Sequence, residues 1–290
     1  MIEKSPNKII AGVMTWGVWG KDFQVNDMAE RIRTFHESGI TDFDHADIYG
    51  GYTTEATFGA ALRESGIDRS KIQLITKCGI QYVSEARPVK IKHYDYSFEH
   101  IIASAEQSLA NLQTDYLDVF LLHRPSPLLQ PEEVAKAVTR LLESGKIRSF
   151  GVSNFTNDQT AMLLKYLPVK FNQIQFSATQ HEAATSGALD FMLLHQIKPM
   201  AWNPLGSYFK TDSEIAKRLK PVVEELAQKY DVGTDTILLN WILKHPAQIA
   251  PVVGTTDVNR LKSQLKALTF SMSTIEWFEI YTAALGHKVP

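Results

Sequence analysis

Short runs of apolar, often β-branched residues alternate along the chain with longer stretches in which apolar side chains recur three and four positions apart. The short runs predict strands over residues 9–15, 42–45, 72–77, 117–123, 149–154, 171–177, 199–203 and 249–253. Between them, sets such as Ile101, Ile102, Ala105, Leu109 and Leu112, or Leu219, Val222, Val223 and Leu226, fall on one face of a helix. Helix punctuation agrees with the periodicity. Ser97 with Glu99 starts one helix, Gln130-Pro131 with Glu132 and Glu133 starts another, and Ser144-Gly145 ends the latter. Several strand runs, among them Val119-Phe120-Leu121-Leu122, are apolar at every position, the mark of strands covered on both faces in a parallel sheet. Eight such strands, most followed by a helix, predict a (β/α)8 TIM barrel, of class α/β, better than an open doubly wound sheet.

No Pro/Gly/Ser-rich linker or low-complexity tract interrupts the pattern, so residues 1–290 read as a single barrel domain. Two stretches lack periodicity: residues 80–96, carrying Tyr82, His93, Tyr94 and Tyr96, and residues 205–212. Both follow strands, which puts them on the C-terminal rim where barrel enzymes place their sites.

Composition narrows the class. A net charge of −2 argues against nucleic acid or an anionic membrane surface as partner. The single cysteine, Cys78, rules out an intrachain disulfide and a Cys-rich zinc site. No run of about 18 apolar residues marks a membrane span, and residues 1–6 carry no signal-peptide pattern, so a cytoplasmic protein is expected. The common chemical signatures are missing as well. No Gly-x-Gly-x-x-Gly follows a strand, Gly20-Lys21-Asp22 and Gly145-Lys146-Ile147 fail the P-loop requirement, and His36-Glu37 and His181-Glu182 lack a second zinc histidine.

Four residues remain: Asp44, Tyr49, Lys77 and His123, each at or just past the C-terminal end of a predicted strand. Their chemistry is coherent. A tyrosine, with a free pKa near 10, is a poor proton donor at neutral pH unless an adjacent ammonium stabilises its phenolate. A carboxylate keeps that ammonium charged when it is buried, and an imidazole orients a carbonyl oxygen. Taken singly, each has an ordinary alternative: a packing tyrosine, a helix-capping aspartate, a surface lysine, a core histidine. Asp44, His45, Asp47 and His123 also invite a metal reading, but no His-x-x-x-His pair supports it, and no metal is expected. A lyase or isomerase using Lys77 as a Schiff-base amine is a further possibility.

The segment Asp42-Phe43-Asp44-His45-Ala46-Asp47-Ile48-Tyr49-Gly50 resembles the Asp-x-Ala-x-x-Tyr-Gly segment of the aldo-keto reductases. Gly12-Val13-Met14-Thr15-Trp16 is similar to their opening strand, Ile75-Thr76-Lys77 to their lysine strand, and Tyr116 through His123 to their histidine strand. Gly151-Val152-Ser153-Asn154-Phe155 and Asn172-Gln173-Ile174-Gln175 match two further signatures. His45 and the Ala284-Leu285-Gly286 ending resemble a bacterial oxidoreductase group within that superfamily.

The resemblance implies a barrel that reduces a small carbonyl compound, as a monomer or weak homo-oligomer, and binds NADP(H) in preference to NAD(H) without a Rossmann domain. It makes Tyr49 the general acid/base, with Lys77 and Asp44 lowering its pKa, and gives His123 the substrate carbonyl. It assigns Ser153, Asn154 and Gln173 to the nicotinamide carboxamide and Trp202 to the nicotinamide face. Asn203, Leu205, Gly206 and Ser207 fall to the pyrophosphate side, and Thr15 and Trp16 also touch cofactor. Gly254, Thr255, Arg260 and Gln264 fall where the adenosine 2′-phosphate is held, although many relatives carry lysine where this chain has Gly254. Trp16, Trp19, Tyr82, His93 and Tyr94 would form an aromatic, mostly uncharged substrate pocket suited to apolar carbonyls. Some members of the family bind the cofactor as sensors with slow turnover, a second reading that the intact tetrad argues against.

Overall fold

The computed structural model describes residues 9–210 and 213–290, so residues 1–6 and the end of the irregular 205–212 stretch lie outside the described part. The strands are β1 (Ile10–Gly12), β2 (Asp42–Asp44), β3 (Gln73–Cys78), β4 (Ile80–Gln81), β5 (His93–Tyr94), β6 (Val119–Leu122), β7 (Phe150–Ser153), β8 (Phe171–Gln175), β9 (Lys198–Trp202) and β10 (Ala250–Val253). The helices are α1 (Val25–Glu37), α2 (Thr54–Ser65), α3 (Phe98–Leu112), α4 (Pro131–Glu143), α5 (Asn157–Leu164), α6 (Ala188–Leu194), α7 (Glu214–Tyr230), α8 (Thr234–Leu243), α9 (Val258–Leu265) and α10 (Thr274–Leu285). Eight strands close a barrel in the order β1, β2, β3, β6, β7, β8, β9, β10, every neighbouring pair parallel.

All eight predicted strands are present, most of them shorter than the apolar runs that announce them. The first stops at Gly12 because the chain then folds back on itself, with Trp16 N donating to Val13 O and Lys21 N to Thr15 O. The 80–96 stretch is not wholly irregular: β4 and β5 pair there as a small antiparallel hairpin outside the barrel. The helix signals hold. Ser97 Oγ accepts from His100 N at the start of α3, Pro131 opens α4, and Gly145 follows α4 at φ +73°.

Alternation along each strand sorts the core into layers. Ile10, Ile75, Val119, Leu121, Phe171, Met200, Ala250 and Val252 form one apolar cluster drawn from six of the barrel strands, which is the barrel's filling. The outward positions pack beneath the helices. Two residues beyond Ile75, Leu121, Phe171 and Met200 come Lys77, His123, Gln173 and Trp202, so the same inward face changes from apolar to polar at the C-terminal end.

Trp16 requires a correction. It is fully buried, edge-on to Phe35 with ring centroids 5.2 Å apart, and also touches Phe23, Phe43 and Phe58. It belongs to the layer beneath α1 and α2, not to a substrate wall or a cofactor contact. The chain reversal just after β1 turns the indole inward, and the apolar face of α1 closes over it. His45 lies in the same layer, its ring edge-on to Phe58 at 4.3 Å and neither ring nitrogen hydrogen-bonded.

Two expected outcomes follow from this packing. Gly59 of α2 lies so close to α3 that a Cβ there would sit 2.2 Å from Asn111 O. Gly59→Ala therefore costs about 1–3 kcal/mol, read as a lower thermal midpoint. Burial first, and the Lys77 charge second, hold the His45 imidazole down at about pH 3, against 6.5 ordinarily. Between those values the unfolded chain binds a proton that the folded chain refuses, so His45 removes stability as pH falls below 6.5. The stability of His45→Phe relative to wild type accordingly rises by about 2 kcal/mol from pH 7 to pH 5 in urea titrations. An unchanged difference at the two pH values would contradict this account.

Candidate active site

Because β2 and β3 are neighbours with Asp44 paired to Ile75, Asp44 and Lys77 meet at the barrel's C-terminal mouth. Both are buried. Lys77 Nζ donates to Asp44 Oδ1 at 2.7 Å, to Asp44 Oδ2 at 2.8 Å and to His45 O at 2.7 Å. The loop after β2 then brings Tyr49 back over the ammonium, and Nζ donates to Tyr49 Oη at 3.4 Å. The His123 ring stands edge-on to Tyr49, centroids 6.2 Å apart. All four sequence-predicted residues thus share one site.

Asp44 has a second partner. Gln173 on β8, four strands away around the ring, reaches across the barrel to donate through Nε2 to Asp44 Oδ1 at 2.8 Å. The network continues from there. Ser153 Oγ donates to Gln173 O at 2.9 Å, Asn154 Nδ2 to Ser153 Oγ at 2.8 Å, and Trp202 Nε1 to Asn154 Oδ1 at 2.9 Å. Asn154 sits at φ +61°, which turns its amide back over the end of β7. The residues expected around a nicotinamide therefore form one network that ends at Tyr49.

The electrostatics depart from expectation in one respect. Burial pushes the Tyr49 phenol above its ordinary value; the Lys77 ammonium pulls it down, but Asp44, a negative charge, adds to the rise. Asp44 therefore does not lower the tyrosine pKa directly; its effect runs through keeping the lysine charged. Against the desolvation that would strip its proton, the Asp44 carboxylate and the Tyr49 oxygen leave Lys77 with a pKa above that of free lysine. Burial, and then the Lys77 charge, hold His123 well below the usual histidine range, so its ring is neutral. A permanently charged Lys77 is a poor Schiff-base nucleophile, which argues against the lyase reading.

At the rim, Trp19 meets Tyr49 at 6.2 Å and Tyr82 at 5.4 Å between ring centroids, so two of the expected pocket aromatics are in place. His93 and Tyr94 are exposed on β5, and neither ring joins that cluster, because the hairpin carries them outward. Thr15 Oγ1 donates to Gly254 O at 3.4 Å, bringing the loops after β1 and β10 together. Arg260 is exposed in the first turn of α9, whereas Gln264 is buried and donates to Asp235 Oδ2. Gly206, at φ +55°, lies where a Cβ would strike Thr179 Oγ1, and Ser207 N donates to that same hydroxyl. Arg124, which the sequence reading passed over, places its guanidinium 5.5 Å from the Trp202 ring centroid. Its position directly after His123 was the available signal. Among the described residues, no group of three or more His, Cys, Asp and Glu is arranged to hold a metal ion, and no helix is long and apolar enough to cross a membrane.

Comparison with known proteins adds the family. The model of the aldo/keto reductase family matches residues 8–284. The chain is 41% identical to an uncharacterized oxidoreductase, YcsN, of Bacillus subtilis, over 98% of this chain and 96% of that protein. It is 34% identical to a 6-dehydroglucose reductase of Agrobacterium fabrum, over 98% of this chain and 97% of that protein. An aldo-keto reductase from Klebsiella pneumoniae, solved in complex with NADPH, superposes with a TM-score of 0.78 at 22% identity, over 97% of this chain and 94% of that one. A (β/α)8 barrel with this site and these relatives belongs to the aldo/keto reductase family, and the chain is an NAD(P)H-dependent oxidoreductase.

Proposed function

We propose that the protein reduces aldehydes or ketones to alcohols with NADPH, reversibly, with Tyr49 as the general acid and base. The observation that carries this reading is the convergence of Asp44, Tyr49, Lys77 and His123 at the barrel mouth, with Lys77 bound to both Asp44 and Tyr49. The residues present fit the cofactor. The Trp202 indole is fixed through its N–H to Asn154, in keeping with a role as a platform for a flat ring, and a Cβ added at Gly254 would meet nothing within 4 Å, which leaves room beside Thr15.

When bound, NADPH supplies the hydride. In this reading Tyr49 hands its phenolic proton to the carbonyl oxygen, and the charge left on Tyr49 Oη faces the Lys77 ammonium. Burial makes that phenol a weaker acid than free tyrosine, so the ammonium's contribution comes as the phenolate develops. A neutral His123 donates a hydrogen bond to the same carbonyl oxygen and leaves proton transfer to Tyr49. Ser153, Asn154 and Gln173 flank the nicotinamide; Asn203, Leu205, Gly206 and Ser207 run along the pyrophosphate. Thr255 and Arg260 take the 2′-phosphate, the latter as a planar fork, and they carry the preference for NADPH in place of the lysine that Gly254 lacks. Gln264 lies behind them and shapes this end of the site through Asp235.

Tyr49→Phe should lower kcat/KM for aldehyde reduction by about 10²- to 10⁴-fold while the NADPH dissociation constant stays within twofold of wild type. Equal turnover in the two proteins would remove Tyr49 from the proposed role. Arg260→Ala should raise the NADPH dissociation constant about tenfold and leave that for NADH unchanged, as followed by quenching of indole fluorescence. A parallel change for both cofactors would place the 2′-phosphate elsewhere.

A further inference from the structure

Arg124 directly follows His123 at the end of β6. Its backbone is held on both sides by one hydroxyl: Tyr96 Oη donates to Arg124 O at 2.5 Å and accepts from Arg124 N at 3.1 Å. Tyr96 is itself buried, and it lies against Gly79, where any Cβ would sit 2.0 Å from its ring. The backbone of Arg124 is thus held by a buried tyrosine. Arg124 is half-buried, and its guanidinium lies 5.5 Å from the Trp202 ring centroid, at the mouth where Tyr49 and His123 meet.

None of the ion pairs among the described residues involves Arg124. Asp44, the acid buried at this mouth, is already committed. Asp44 is bound to Lys77 and Gln173, and Asp95 accepts from Ser97 N. Asp47 is buried, and that burial pushes its carboxyl well above the usual carboxylate range. Lys92 adds a second positive charge felt at His123. The mouth therefore holds a guanidinium that is in no ion pair among the described residues, where a mostly uncharged pocket is expected. A guanidinium presents two parallel N–H groups to one carboxylate, while Trp19, against both Tyr49 and Tyr82, adds an aromatic wall to the site.

We infer that Arg124 is the specificity-determining residue of this site, and that the preferred substrate is an aldehyde or ketone bearing a carboxylate, which Arg124 holds while Tyr49 and His123 take the carbonyl oxygen. The inference rests on the carbonyl-reductase reading above and adds the substrate class. Arginine's planar fork, rather than charge alone, selects the carboxylate, so lysine in its place restores only part of the preference.

The test compares 4-carboxybenzaldehyde with its methyl ester, which differs mainly in charge, as substrates for wild type, Arg124→Met and Arg124→Lys with NADPH. Wild type should prefer the acid by about 10- to 100-fold in kcat/KM. Arg124→Met should lose that preference through a higher KM for the acid, with the ester unaffected, and Arg124→Lys should fall between. Calorimetric titration of benzoate into the NADP+-loaded protein gives a readout without turnover: binding should weaken at least tenfold in Arg124→Met, with the NADPH dissociation constant unchanged. Three outcomes overturn the inference while leaving the reductase reading intact: equal wild-type rates on acid and ester, equal losses on both in Arg124→Met, or weakened NADPH binding, which would assign Arg124 to the cofactor. Failure of wild type to oxidise NADPH with either aldehyde would instead overturn the reductase reading, and the inference with it.

Discussion

An ammonium buried without water survives only if other groups replace its hydration, and Lys77 is fully buried with all its strong contacts supplied by protein. Asp44 gives two oxygens, the His45 carbonyl a third, and Tyr49 the remaining, longer contact. The asymmetry is the point. Three contacts at 2.7–2.8 Å fix the charge in place, and the fourth, at 3.4 Å, leaves the tyrosine oxygen able to gain from that charge as its proton departs. Removing Asp44 would strand the ammonium, a defect that costs about 3–5 kcal/mol in buried pairs, so stability and chemistry are tied to one ion pair.

The barrel makes that pair possible. Its lower filling is apolar, so the polar layer above it rests on side chains that offer its charges no hydrogen bond. Strand alternation carries the inward face from Ile75 to Lys77 and from Phe171 to Gln173 in a single step of two residues. Gln173 then ties the far wall of the barrel to Asp44, and through Ser153 and Asn154 the same network fixes Trp202. Disturbing any of these positions would be felt at Tyr49 without touching a reacting atom.

Continuous apolar runs such as Val119–Leu122 declared the parallel barrel, and residues at strand ends declared the tetrad, because both depend on local order along the chain. Trp16 shows where local order falls short. A tryptophan just past a strand is equally compatible with a rim or a core, and only the chain reversal between Val13 and Lys21, with the apolar face of α1 above it, decides for the core. His93 and Tyr94 likewise depended on a hairpin that two-residue strands barely encode. The cross-barrel bond from Gln173 to Asp44 joins residues 129 positions apart, and no periodicity announces it.

Charge at the pocket was harder still to read. Counting residue types around the expected site gives an aromatic wall, since Trp16, Trp19, Tyr82, His93 and Tyr94 are conspicuous and a lone arginine beside a histidine is not. What distinguishes Arg124 is that none of the ion pairs among the described residues includes it, and that is a property of three-dimensional placement: Asp44 is spent on Lys77, and burial pushes the Asp47 carboxyl well above the usual carboxylate range. The same accounting that makes Lys77 internal to the protein makes Arg124 available to something outside it. Under the proposed reductase role, a fold that neutralises one cation so completely and leaves its neighbour without an ion pair among the described residues would separate two tasks, the first supporting proton transfer and the second choosing what receives the proton.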